Sequence, residues 1–189
     1  MMEITKRQTK ETDISIGLSL EPGQVKIDIP CSFLAHMLEQ LLHHAGWSGK
    51  IEGKGDVDID YHHLVEDIGS TLGIHLNKIF SKNKYKRYGW CLLPMDGTLV
   101  MVSIDMGGRA FCSFDAIFPT PKCGDFDTEL VEEFFRALSR EGRMTIHIKA
   151  LSCDNSHHLA EAIFKGMGLS LGQALTPNPL DPSTKGVWS

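Results

Sequence analysis

Two stretches of the chain carry the pattern His-His-x-x-Glu: His62-His63-Leu64-Val65-Glu66 and His157-His158-Leu159-Ala160-Glu161. A helix places residues three and four apart on one face, so in each copy the glutamate and a histidine project together. Adjacent helical residues point about 100° apart, which leaves neighbouring histidines poorly placed to share one ion. Two copies therefore suggest two metal ions, each drawing ligands from both halves of the chain. Imidazole and carboxylate without thiolate suit Mn, Fe, Ni or Zn in a catalytic role better than a structural zinc knot. One copy alone would read equally well as a polar helix face. Two copies, each behind an acidic or amide-rich turn (Asp58-Ile59-Asp60 and Asp154-Asn155-Ser156), favour metal binding.

The elements that must hold these motifs follow from the apolar spacing. Ile14, Ile16, Leu18 and Leu20 alternate with polar residues, as do Val25, Ile27 and Ile29; with Pro22-Gly23 between them they predict a hairpin. A helix follows, with Ser32 as N-cap and Phe33, Leu34, Met37, Leu38, Leu41 and Leu42 as its stripe. Ile51 and Val57-Asp58-Ile59 predict short strands, after which the first motif opens a helix bearing Ile68, Leu72, Leu76 and Ile79. The order then repeats. Leu99 to Asp105 and Arg109 to Ala116 are strands joined through Gly107-Gly108, and Asp127 is placed to cap a helix over Leu130 to Leu138. Met144, Ile146 and Ile148 alternate as a strand, and the second motif opens the last helix. Strand, strand, helix, strand, helix in each half predicts an internally duplicated α+β fold, a two-layer sandwich of sheet on helices. The halves divide as residues 1–92 and 93–189 of one compact unit.

Composition sets the outer limits. The 189 residues suffice for a real core, and a formal net charge of −5 leaves no basic stripe for nucleic acid. Cys31, Cys91, Cys112, Cys123 and Cys153 are odd in number and scattered, a pattern expected of reduced thiols in the cytoplasm. No apolar run has the length of a signal peptide or a membrane span.

The repeat also nominates partners for the motifs. His36 and Glu133 stand on the helix before each motif, as polar residues in otherwise apolar faces. One consistent partition puts His36, His63, Glu66 and His157 on one ion and Glu133, His158, Glu161 and His62 on the other. His147, opposite Ile146 and Ile148 on its strand, is the alternative to Glu133.

Longer matches frame these residues: TKET (9–12), FLAHML (33–38), DYHHLVED (60–67), RYG (87–89), GGRAF (107–111), GDFDTELVEEFF (124–135), NSHHLAEAIFK (155–165) and PSTKGV (182–187). In these motifs and their order the chain resembles the imidazoleglycerol-phosphate dehydratases. The resemblance implies a di-manganese lyase with two Mn2+ per subunit, acting in histidine biosynthesis. It would turn D-erythro-imidazole-glycerol phosphate into imidazole-acetol phosphate. It also implies a homo-24-mer built from trimers, with active sites at subunit interfaces and neither membrane nor nucleic acid as partner. Glu11 matches a substrate-contacting glutamate and is the candidate acid/base. His44 matches a substrate-region histidine, and Arg87, Arg109, Lys165, Ser183, Thr184 and Lys185 match phosphate-contacting positions. Three residues depart from the pattern. Ala35 and Tyr61 stand where aspartates are usual, so the nearby imidazoles are expected to lack orienting carboxylates. Glu133 stands where many members carry histidine.

A two-metal hydrolase of phosphate esters is the rival reading, since paired ions also clamp in-line displacements. A non-catalytic metal-binding shell would have no use for the arginine and lysine set.

Overall fold

A computed structural model describes residues 3–179. Its elements in chain order are β1 (Ile4–Gln8), β2 (Thr12–Ser19), β3 (Val25–Asp28), α1 (Ser32–Ala45), β4 (Ser48–Gly55) and α2 (His62–Lys82), then β5 (Tyr88–Met95), β6 (Thr98–Asp105), β7 (Phe111–Asp115), the small β8 (Lys122–Cys123) and β9 (Phe126–Asp127), α3 (Glu129–Gly142), β10 (Thr145–Ser152) and α4 (Ser156–Ala174). Two four-stranded sheets of the same topology result, β1-β2-β4-β3 and β5-β6-β10-β7, which is the duplication expected. The first strand of each sheet was not foreseen. β5 begins at Tyr88 and belongs to the second sheet, so the halves part after α2 rather than at residue 92.

The expected hairpin is corrected, and so is the adjacency of the two strands joined through Gly107-Gly108. β4 takes the inner edge of β2 along an unbroken antiparallel register from Thr12↔Gly55 to Ser19↔Ser48. That leaves β3 the far side of β4, parallel to it, with α1 as the crossover. β7 likewise lies parallel to β10 across α3, not beside β6. Residues 57–59 form a turn, not a strand. Ser32 is the first residue of α1, with Cys31 as N-cap. Asp127 does not cap α3 either; it lies in β9 and pairs with Lys122 at 2.9 Å, and Thr128 is the cap residue.

Each sheet buries one face on its own two helices, and the helices of the two halves pack on each other, α2 on α3 and α1 on α4. The four helices thus form a layer between the sheets, filled by Leu34, Leu38, Phe134, Phe135, Phe164 and their neighbours. Two glycines allow the helices to close. A Cβ on Gly73 would stand 2.6 Å from the Gly142 nitrogen, and one on Gly168 would stand 2.3 Å from the Leu41 carbonyl oxygen. The outer faces differ. Lys6, Ser15, Glu52 and Asp28 align across the first sheet, whereas Tyr88, Trp90, Leu92 and Met101 stand exposed on the second. None of the helices described is long and apolar enough to cross a membrane.

Candidate metal centres

Because each motif helix lies against the first helix of the other half, polar residues on the two meet. His36 of α1 joins His157 and Glu161 of α4, and Glu133 of α3 joins His62 and Glu66 of α2. In each trio the donor atoms lie within 4.8 Å of one another. The partition read from the repeat is therefore corrected: Glu66 groups with Glu133, and Glu161 with His36. The cause is helical spacing, since each glutamate shares a face with the first histidine of its own motif, four residues earlier.

Each glutamate is also held from one side by a cation. Glu161 Oε2 lies 3.2 Å from His157 Nε2 and 3.8 Å from His36 Nε2, while its Oε1 takes Lys165 Nζ at 2.7 Å. Burial favours the neutral acid, but the Lys165 hydrogen bond and charge, with His36 and His157, hold this carboxyl below its ordinary range. In the other trio the cation comes from α3 instead: Arg140 Nη2 donates to Glu66 Oε1 at 2.8 Å. Arg140 stands two helical turns beyond Glu133, a spacing that could have exposed it in the sequence.

The second histidine of each motif stands outside both trios. His63 Nδ1 bonds Asp56 Oδ2 at 2.9 Å, and the carboxylate raises the imidazole above its ordinary value. His158 Nδ1 bonds Asp154 Oδ2 at 3.0 Å. Asp154 is pulled down to about 2, first by the Thr98 hydroxyl at 2.6 Å and then by His158. A carboxylate on Nδ1 fixes the tautomer in which Nε2 carries the lone pair. These aspartates supply orientation that Ala35 and Tyr61 do not. Tyr61 instead donates its phenol to Asp125 at 2.7 Å, which pushes the phenol up to about 12 and ties α2 to the β8–β9 turn. Asn155 caps α4 by accepting from His158 N–H, while Asp60, one residue before the Tyr61 cap position of α2, accepts from His62 N–H.

A cleft of about 710 Å³ opens beside the first trio, lined by Phe33, His36, Asp125, Asn155 and His157. Glu11 occupies the turn between β1 and β2, its Oε2 4.0 Å from His63 Nδ1. Arg87 and Arg109 converge on Asp105. Arg87 grips it through Nε at 2.5 Å and Nη2 at 2.9 Å; Arg109 approaches to 3.9 Å and is mostly exposed. Lys165 is committed to Glu161, one helical turn earlier on α4. His44 lies two turns beyond His36 on α1, with Nδ1 on the Gln40 carbonyl at 2.9 Å. His147 stands on the outer face of the second sheet against Phe111, and Glu133, not His147, is the residue within a trio. Ser183, Thr184 and Lys185 lie outside the described residues.

Known proteins are similar to this chain over nearly its whole length. The imidazoleglycerol-phosphate dehydratase family model matches residues 30–171. The enzyme of that name from Desulforudis audaxviator is 44% identical over 96% of this chain and 95% of its own. That from Caldivirga maquilingensis is 41% identical over 97% of both. The crystal structure of the Staphylococcus aureus enzyme superposes with a TM-score of 0.84 at 41% identity, covering 93% of this chain and 99% of the other. The Pyrococcus furiosus enzyme, crystallised with (S)-C348, gives 0.85 at 38% identity over 96% and 99%. The chain therefore belongs to the imidazoleglycerol-phosphate dehydratase family, the hydro-lyases of histidine biosynthesis.

Proposed function

We propose that this chain dehydrates D-erythro-imidazole-glycerol phosphate to imidazole-acetol phosphate using two Mn2+ ions per subunit, one in each trio. The observation that carries this reading is the pair of matched donor sets, His36/His157/Glu161 and His62/Glu66/Glu133. Imidazole nitrogen and carboxylate oxygen suit a divalent first-row ion, and three protein donors leave positions open for substrate. When bound, such ions supply Lewis acidity and hold the substrate imidazole in place.

The remaining work falls to side chains. Glu11 takes the proton from the carbon beside the one that loses hydroxyl. Departure of water leaves an enol, which tautomerises to the ketone. Arg87 and Arg109 face the phosphate dianion, with Asp105 holding the two guanidiniums together. His63 and His158, oriented through Nδ1, complete the ion sites of neighbouring copies in a homo-24-mer built from trimers. The apolar side chains exposed along β5 and β6, Tyr88, Trp90, Leu92 and Met101, support such assembly.

Mixing Mn-loaded protein with imidazole-glycerol phosphate should yield the ketone, and the double variant His62→Ala/His157→Ala should lose both tightly held metal and activity. Release of inorganic phosphate in place of ketone would establish the hydrolase reading instead.

A further inference from the structure

Asp67 follows Glu66 on α2, and its carboxylate is buried while pointing away from both trios. Arg7 Nε donates to its Oδ1 at 2.7 Å, and the Thr12 hydroxyl donates to its Oδ2. A hydroxyl has one proton. With that proton given to Asp67, Thr12 Oγ1 can only accept from Thr9 Oγ1, 3.2 Å away. The Thr9 oxygen is then oriented to receive the N–H groups of Glu11 at 3.1 Å and Thr12 at 2.9 Å. On the other side of the turn, the Glu11 carbonyl accepts from Asp56 N–H at 3.2 Å. One directed chain of hydrogen bonds thus runs from α2 to the backbone of Glu11.

We infer that Asp67 is a positioning residue for the reaction: through Thr12 and Thr9 it fixes the Glu11 turn against the helix that carries Glu66. This rests on Glu11 as the acid/base. The same turn of α2 presents a candidate metal ligand from one residue and anchors the base loop from the next. Glu11 Oε2 lies 4.0 Å from His63 Nδ1 on the same helix, so the separation of the base from that candidate ligand is set by one stretch of α2. Each carboxylate oxygen of Asp67 thus faces a donor, Arg7 on one side and Thr12 on the other. A loose Glu11 turn leaves ligands and phosphate clamp untouched but misplaces the base, and a displacement near 1 Å can cost about 100-fold in rate.

The test uses the full-length Mn-loaded protein. Thr12→Val keeps the shape and removes the hydroxyl; Thr12→Ser restores it. Thr12→Val should lower kcat about 10–100-fold, with Mn per subunit and inhibition by inorganic phosphate unchanged, and Thr12→Ser should recover kcat to within a few-fold of the parent. Asp67→Asn is the second variant should Thr12→Val not fold, with the same split expected. Wild-type kcat in folded Thr12→Val, with only a lower melting temperature, overturns the inference. Loss of Mn together with kcat also overturns it, since the link would then serve the metal. Glu11→Gln separates the two ideas. If it retains full kcat, the acid/base reading itself fails; if it is inactive while Thr12→Val is not, only the role of Asp67 falls.

Discussion

His36 and Glu133 occupy equivalent places in the two halves, yet one offers nitrogen and the other oxygen. The trio containing Glu133 holds two carboxylates where its counterpart holds one, and Arg140 offsets part of the excess negative charge. Oxygen donors make that site the harder one, more tolerant of Mn than of softer ions. Glu133→Ala should therefore release one Mn per subunit in an elemental assay, whereas His147→Ala should keep both. The opposite pattern would give the ligand role to His147. At the phosphate end, Arg109→Ala should raise KM for the phosphorylated substrate, because a charged hydrogen bond contributes about 1.5–3 kcal/mol. Unchanged KM and unchanged inhibition by inorganic phosphate would remove Arg109 from the clamp.

Among the elements, α2 is joined to the first sheet by an imidazole as well as by Asp67. His75 is buried, and its Nε2 accepts the Leu18 N–H at 3.3 Å. Nδ1 must then carry the proton and donate to the Thr5 hydroxyl at 3.0 Å. Burial is the main cause lowering its pKa from 6.5; Lys78 and Lys82 add to that and Glu3 opposes it. The unfolded chain thus binds the proton more readily, so this contribution to stability is complete above about pH 6.5 and is lost as pH falls through the lowered folded value. A melting curve should drop on acidification from pH 7 to 5 more steeply in the parent than in His75→Asn; parallel slopes would dismiss the clamp. The helices and their stripes were legible in sequence because their spacing reports burial on one face, and the members of the trios, though not their grouping, could be read from polar residues interrupting those stripes. Strand pairing was not legible. β1 turns Thr5 and Arg7 inward, so it lacks an apolar alternation, and β5 contains Pro94, which an edge strand tolerates. Pro22-Gly23 reports a turn but cannot report that β4 will take the place beside β2. Asp56 and Asp154 reach their histidines through loop geometry, which the spacing of the motif does not encode.

At the scale of the whole molecule, two halves of one topology carry unlike outer faces. Trp90 and Leu92 project from β5 at 64% and 58% exposure, whereas the matching face of the first sheet is charged. Trp90→Asp combined with Leu92→Asp should reduce the particle mass seen by light scattering and leave far-UV circular dichroism unchanged; an unaltered mass would exclude this face from assembly. The helix layer has a further result, one that concerns time rather than geometry. Residues before the fourth strand of the first sheet supply His36, but its companions emerge only with α4, the last helix of the described residues. His62 and Glu66 in turn wait for α3. A nascent chain leaving the ribosome therefore carries no finished trio until α3 docks on α2, and the trio of His36 waits further for α4. Chains cut short before α3 hold neither donor set complete, and loop closure across more than a hundred residues, from His36 to Glu161, governs how soon the later trio forms.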